Sequence, residues 1–323
     1  MTTYKELHGT NIEVRSSDPS NPVEGQVWYN STTGALKGVS ISATGSWATG
    51  GSLNTATQNS AGAGDSNTAA LAISGTTAAS PGGAAKTESY DGTSWTEVAD
   101  VNTARRYLGG SGTQTLALAF GGGNPGGLAV TESWNGSAWT EVNDLNTARA
   151  AIAGDGTQTS TLAVGGPGAA GPTESWNGTS WTELAALNTG RSRIGVAAAD
   201  NTSALAFGGQ PPNTSATESW NGTSWTEVND LNTARYDPGQ SGVATSALAF
   251  GGGDGTSVFG VTEEWNGTSW TETTNLSTSR SHTDGTGSQT SALCFGGETP
   301  PTTAATEEWN GAGSIITKTF TTS

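Results

Sequence analysis

Short runs in which large and small apolar side chains alternate recur along the chain. The fullest is Leu116-Ala117-Leu118-Ala119-Phe120-Gly121-Gly122, and counterparts begin at Leu71, Leu162, Leu205, Leu248 and Leu293. A period of two is that of a strand packed between neighbours. Each run is followed by a polar phrase that carries the aromatic residues. The phrase TESWNGSAWTEVNDLNTAR begins at Thr131, with copies from Thr87, Thr173, Thr217 and Thr262 and a truncated one from Thr306. Its first aromatic falls at Tyr90, Trp134, Trp176, Trp220, Trp265 and Trp309, with spacings of 44, 42, 44, 45 and 44 residues. A repeat of that length is the length of a four-stranded propeller blade.

Each unit resolves into four strands. A Gly/Ser/Thr-rich stretch after Thr-Ala-Arg is the first, the alternating apolar run the second, Thr-Glu-Ser-Trp the third and Trp-Thr-Glu-Val the fourth. Asn-Gly between the last two predicts a two-residue type I′ turn. That turn would set Trp134 opposite Ser137 and Glu132 opposite Trp139, making the two Trp residues diagonal neighbours on one face. Six second–third strand pairs predict six blades. Seven segments can serve as a fourth strand, so one is spare. Ser46-Trp47-Ala48 and Ser314-Ile315-Ile316-Thr317 compete to close the ring, and the sequence leaves that choice open.

Composition narrows the class. Only 33% of the residues are hydrophobic, yet 48 are Gly and 12 are Trp, a composition suited to a tightly turned β protein. The formal charge of −16 disfavours nucleic acid and anionic membrane surfaces as partners. No apolar run approaches the roughly 18–20 residues of a membrane span. Cys294 is the sole cysteine and His8 and His282 the sole histidines, so no disulfide, Cys-based metal site or His cluster is expected. No metal or cofactor is anticipated. The N-terminus has no signal-peptide layout, which suggests release by a route such as cell lysis.

The Gly-Gly after an apolar strand, the paired aromatics and the Arg before the next unit resemble the kelch-repeat family over about residues 47–320. That resemblance implies an all-β, six-bladed kelch-like β-propeller of four-stranded antiparallel blades, assigned to 47–323. Two departures stand out: the first aromatic is mostly Trp rather than Tyr, and the pair is five residues apart. Residues 1–46 lack the repeat and form a separate arm and hairpin module. The run Glu24-Gly25-Gln26-Val27-Trp28-Tyr29-Asn30 is similar to the short hairpin near the N-terminus of many tailed-phage tail-fibre and other virion proteins. The likeness implies docking to a virion through this module, with Trp28 and Tyr29 as the docking side chains and the polar arm 1–17 as a tether.

Strand order places the loops between second and third strands on the same face as those between blades, and the former vary in sequence. Variation on one face of a rigid scaffold marks recognition, or simply a lack of constraint. Arg105, Arg149, Arg191, Arg235 and Arg280 recur on that face, with Thr57 in the first unit. They would either form a ring that binds anionic glycan groups, or pair with the third-strand residues Glu88, Glu132, Glu174, Glu218, Glu263 and Glu307 to tie blade to blade. The faithful recurrence of the Glu favours pairing. The Asn-Gly-Ser/Thr matches at Asn135 and Asn177 are explained by the hairpin, and Cys294 stands where other units have Ala. His282 reads as a loop residue. An enzyme would break the repeat with unmatched catalytic groups; Asp254 and Glu298 are unmatched acids, but no His or Tyr joins them along the sequence.

These readings lead to a virion structural protein of a tailed bacteriophage, present in multiple copies. It would be a tail fibre, another tail-associated protein or a capsid-decorating adhesion protein, with the propeller displayed for host-surface or glycan binding and no catalysis. The alternatives are a polysaccharide-degrading propeller enzyme and a bacterial surface adhesin.

Overall fold

The computed structural model describes residues 12–20, 23, 25–41, 44–124, 126–168, 171–313 and 315–320. The chain divides into a propeller unit, Ser46–Asn310, and a terminal unit made of Met1–Gly45 with Gly311–Ser323. The described residues form strands and no helix long and apolar enough to cross a membrane.

Among the described residues seven four-stranded sheets are present, one more than the six counted from the repeats. Six belong to the propeller unit and are antiparallel throughout. They span 61–97, 109–142, 153–184, 195–227, 239–272 and 284–310, the last completed by Ser46–Thr49. Their first strands neighbour one another in cyclic order, from Ala61–Ser66 beside Gly109–Gly112 around to Asp284–Ser288 beside Ala61–Ser66. The two candidates for closing strand are thereby separated. Trp47 pairs with Trp309, in the place that Trp139 holds against Trp134. Ile315–Phe320 instead pairs with Ala35–Ile41 in the seventh sheet, so the stretch after Asn310 departs from the propeller segment to which the sequence assigned it.

The predicted hairpin turn is corrected. Trp134 pairs directly with Trp139 and Glu132 with Glu141, so four residues, 135–138, make the connection. Asn135 Oδ1 accepts the backbone N–H of Ser137 at 3.0 Å and of Ala138 at 2.9 Å. Gly136 supplies the left-handed residue at φ 91°. The Asn is thus used for its side-chain oxygen, as an Asx turn uses it, rather than for a I′ backbone. Direct opposition brings the two indoles to 5.3 Å between centroids.

Aromatic contacts also link the sheets. The Phe that ends a second strand packs on the second Trp of the next sheet, as Phe120 does on Trp181 at 5.0 Å and Phe207 on Trp270 at 5.0 Å. That Trp donates its Nε1 proton to the third-strand Thr of the preceding sheet, Trp181 to Thr131 and Trp225 to Thr173, each at 3.0 Å. These rings pack together with the alternating Leu and Ala of the second strands in the clusters between sheets. The rings need room beside the first strands. A Cβ at Gly154 would stand 2.4 Å from Phe120 Cζ, which accounts for glycine there.

The terminal unit has its own sheet, ordered Glu13–Arg15, Val27–Asn30, Ala35–Ile41, Ile315–Phe320, with the first pair parallel. Asp18 organises it. Its carboxylate accepts from Trp28 Nε1 at 3.0 Å, Asn30 Nδ2 at 2.8 Å and Lys37 Nζ at 2.6 Å. Those hydrogen bonds, Lys37 first, hold its pKa down at about 2. Residues 1–11 of the expected tether, and Glu24 of the hairpin motif, lie outside the described residues.

Candidate functional site

The five repeated arginines are buried and ion-paired. Arg105 meets Glu132 at 2.6 Å, Arg149 meets Glu174 at 3.3 Å and Arg235 meets Glu263 at 2.9 Å; Arg191 and Arg280 meet Glu218 and Glu307 in the same way. Each pair spans two consecutive sheets. The other carboxylate oxygen is held by the residue that precedes Thr103 and its counterparts, an Asn in four of the five units and Ser277 in the last: Glu132 Oε2 accepts Asn102 N at 2.6 Å and Asn102 Nδ2 at 2.8 Å. At the first unit, where Thr57 replaces Arg, Glu88 keeps this hold from Asn54 and Thr55. A guanidinium already buried on a carboxylate is not offered to a ligand, so the glycan-binding ring is set aside and these residues tie sheet to sheet.

Two residues after each of these positions the chain turns into the channel mouth. Asn59, Tyr107, Ala151, Arg193, Asp237 and His282 all have positive φ, between 48° and 56°, and none is glycine. Backbone hydrogen bonds run around the mouth: Tyr107 N to Asn59 O, Ala151 N to Tyr107 O, Arg193 N to Ala151 O, Asp237 N to Arg193 O and Asn59 N to His282 O, all 2.9–3.1 Å. Left-handed backbone costs roughly 1–2 kcal/mol for an ordinary L residue. The bonding around the mouth offsets that cost and turns six different side chains onto one site. Such strain concentrates where function is built.

Arg193 crosses this mouth. Its Nη1 donates to Asp237 Oδ2 at 3.1 Å and lies 3.2 Å from His282 Nε2, while Nη2 donates to Tyr107 Oη at 3.2 Å. The guanidinium stands 5.0 Å over the Tyr107 ring and 5.5 Å over that of Tyr236. An Nε2 that accepts from Arg193 puts the imidazole proton on Nδ1, which faces Ser281 Oγ at 2.9 Å and Glu298 Oε2 at 3.6 Å. Burial, assisted by Arg193, lowers the His282 pKa to about 4. Burial also pushes Asp237 up to about 7 against the pull of Arg193. His282 is therefore more than a loop residue, and Glu298 does have a His beside it; Asp254 is spent on capping its own turn at Thr256 and Ser257. The sequence held a signal for this cluster that pattern reading passed over. In a repeat that is otherwise near-uniform, the second position after the Arg is different in every unit.

Below the mouth the first strands line a glycine-rich channel cavity of about 440 Å³. Asp155 and Asp284 on these strands accept backbone N–H groups, Asp155 from Gly156 and Ala198 and Asp284 from Gly285, at 2.7–2.9 Å. Burial nevertheless pushes both up to about 7. A folded-state pKa above the unfolded one means the native protein binds more protons between about pH 4 and 7. The stability from each acid is full below the unfolded pKa and is lost as pH rises toward 7. His282 acts oppositely between 6.5 and about 4. Each group contributes about 1.4 kcal/mol per pH unit within its window, and the carboxyl groups outnumber the imidazole. The melting temperature is expected to be higher at pH 5.5 than at pH 8, and Asp155→Asn is expected to reduce that difference. Calorimetric melts at the two pH values check it; equal melting, or higher melting at pH 8, would contradict it.

In the terminal unit the two expected docking side chains part company. Trp28 is wholly buried, its indole bonded to Asp18, and cannot meet a partner. Tyr29 on the opposite face is exposed. The register places Val14 opposite Tyr29, Tyr29 opposite Leu36 and Leu36 opposite Phe320. These four therefore form one row across the whole sheet, and Val14, Tyr29 and Phe320 are exposed large hydrophobics. Val23 adds a fourth in this unit; among the described residues the propeller has only Leu116. The unit carries four basic and four acidic residues, so the entire formal charge of −16 falls on the propeller unit.

No family model matches the sequence, and no curated protein matches it. The fold does have a solved counterpart. The structure of YjhT superposes with a TM-score of 0.65 at 14% identity, covering 83% of this chain and 99% of that one. The chain is a β-propeller. At that identity the likeness concerns the fold alone.

Proposed function

We propose that the chain is a virion structural protein of a tailed bacteriophage: a propeller whose six ring sheets are kelch-like blades, attached to the particle by its terminal unit and used for host-surface recognition. The observation that carries this reading is the division of surface chemistry. The terminal unit is neutral and bears an apolar row across its sheet, as an attachment surface should. The propeller unit is strongly acidic, has one exposed large hydrophobic among the described residues, and gathers Arg193, Asp237 and His282, each unmatched in the other repeats, at the channel mouth. The likeness of the Val27–Asn30 hairpin to virion hairpin modules supports the choice of particle, and Tyr29 rather than Trp28 is the docking side chain.

Tyr29→Asp and Phe320→Asp each place a charge in the row and leave the sequence of the propeller unit unaltered. Incorporation into particles is expected to fall at least about tenfold for the double variant, since desolvating a carboxylate against an apolar partner costs well over 1.4 kcal/mol. The propeller should melt as before. Quantitative blotting of purified particles checks this, and undiminished incorporation would reject attachment through the row. A second reading, a polysaccharide-degrading enzyme, is favoured by His282 lying beside Asp237 and Glu298. Release of reducing ends from host polysaccharide by the pure protein would decide for it.

A further inference from the structure

We infer that the channel mouth around Arg193 is a binding site for an uncharged, hydroxyl-bearing group of the kind a terminal sugar residue presents. The inference deepens the recognition half of the proposed function and is independent of particle attachment. Four observations converge on it. First, Asn59 is more than nine-tenths buried, lines the mouth, and its Oδ1 has no hydrogen-bond partner. A buried acceptor left unpaired is costly, and a donor from a ligand would relieve that cost. Second, Asn59 and Arg193 stand on opposite sides of the ring of six, so a group entering between them meets an acceptor on one side and donors on the other.

Third, the charge balance of the mouth favours a neutral guest. The Arg193 guanidinium is already met by Asp237, and Glu298 stands behind His282. An anion would add negative charge to a site whose cation is taken, on a unit carrying −16. A hydroxyl asks for no such compensation. It can donate to Asn59 Oδ1 and accept from the Tyr107 hydroxyl or from Arg193. Fourth, the mouth cavity is small, about 70 Å³. That volume takes a hydroxyl or hydroxymethyl group with part of a ring edge and leaves the rest of a saccharide outside. Ala151, the smallest member of the ring, opens the gap through which such a group enters.

The test uses the full chain and free monosaccharides: glucose, galactose, mannose and, as the charged counterpart, glucuronate, followed by saturation-transfer NMR at fixed pH and salt. At least one of the three neutral hexoses is expected to bind, and glucuronate to bind more weakly. Asn59→Gly should weaken the hexose about tenfold, the worth of one buried hydrogen bond. Glycine accepts positive φ freely and removes the unpaired acceptor, so melting should not fall and the loss of binding is assignable to the missing side chain. Arg193→Lys, which keeps the charge but loses the fork, should weaken it as well. Absence of binding by all three hexoses, tighter binding of glucuronate, or full binding by Asn59→Gly would each overturn the inference.

Discussion

Arg105→Ala is expected to lower the folding stability by about 3–5 kcal/mol, the cost of stranding a buried charge. The size follows from what is left behind. Glu132 is fully buried and faces Arg105 Nη1 at 2.6 Å; the same guanidinium donates to Thr103 O at 3.0 Å and Ala119 O at 3.2 Å. Removing it takes one donor from each of those carbonyls and leaves the carboxylate with only its loop donors, Asn102 and Thr103. An exposed pair would cost nearer 1 kcal/mol. Replacing both partners with apolar residues of similar volume, Arg105→Met with Glu132→Leu, should recover part of the loss, because the desolvation of two charges is then no longer required while the donors of Asn102 and Thr103 lose their acceptor. Urea titrations of the single and double variants measure both effects. A single variant within ~1 kcal/mol of the parent would mean that Asn102 and Thr103 hold Glu132 unaided, as Asn54 and Thr55 hold Glu88 where Thr57 replaces the arginine.

The blade was legible because its determinants repeat. The period near 44, the alternation in Leu116–Phe120 and the co-occurrence of Arg with third-strand Glu are one-dimensional signals of packing that each unit must solve alike. What escaped was whatever does not repeat or depends on geometry finer than pattern. Asn135-Gly136 has the composition of a I′ turn, but the side-chain oxygen of Asn135 captures two backbone donors and lengthens the connection by two residues. The ring of six at the mouth is assembled from residues 42 or more positions apart, bridged by the reach of one arginine across the axis, and no local motif announces that. The destination of Ile315–Phe320 was invisible for a different reason. Its β-branched residues suit any strand, and only the register with Ala35–Ile41 assigns it to the terminal sheet.

Truncation at two points five residues apart is expected to give opposite outcomes. A chain of residues 46–310 retains Ser46–Thr49 and should fold as a closed propeller. A chain of residues 51–310 loses that strand and should not survive at 37 °C. Trp47 carries the difference. Its ring packs 4.9 Å from Phe250 and 5.2 Å from Trp309, and its Nε1 donates to Thr262 Oγ1 at 3.0 Å, repeating the bond that Trp95, Trp181, Trp225 and Trp270 make to a third-strand Thr. Removing a fully buried Trp side chain alone costs about 3–5 kcal/mol, and half-buried Trp47 contributes less than that. Removing its strand also uncovers the ladder groups of Thr306–Asn310, which pair with Ser46–Thr49, and leaves an open sheet edge in a ring that otherwise keeps its edges short. That sum approaches the whole stability of an ordinary domain, about 5–15 kcal/mol. Expression of both truncations, with melting and size-exclusion profiles, tests the pairing. A monomeric 51–310 chain melting like the 46–310 chain would show that the ring does not need the N-terminal strand to close, and would return Ile315–Phe320 to consideration as its partner in the full chain.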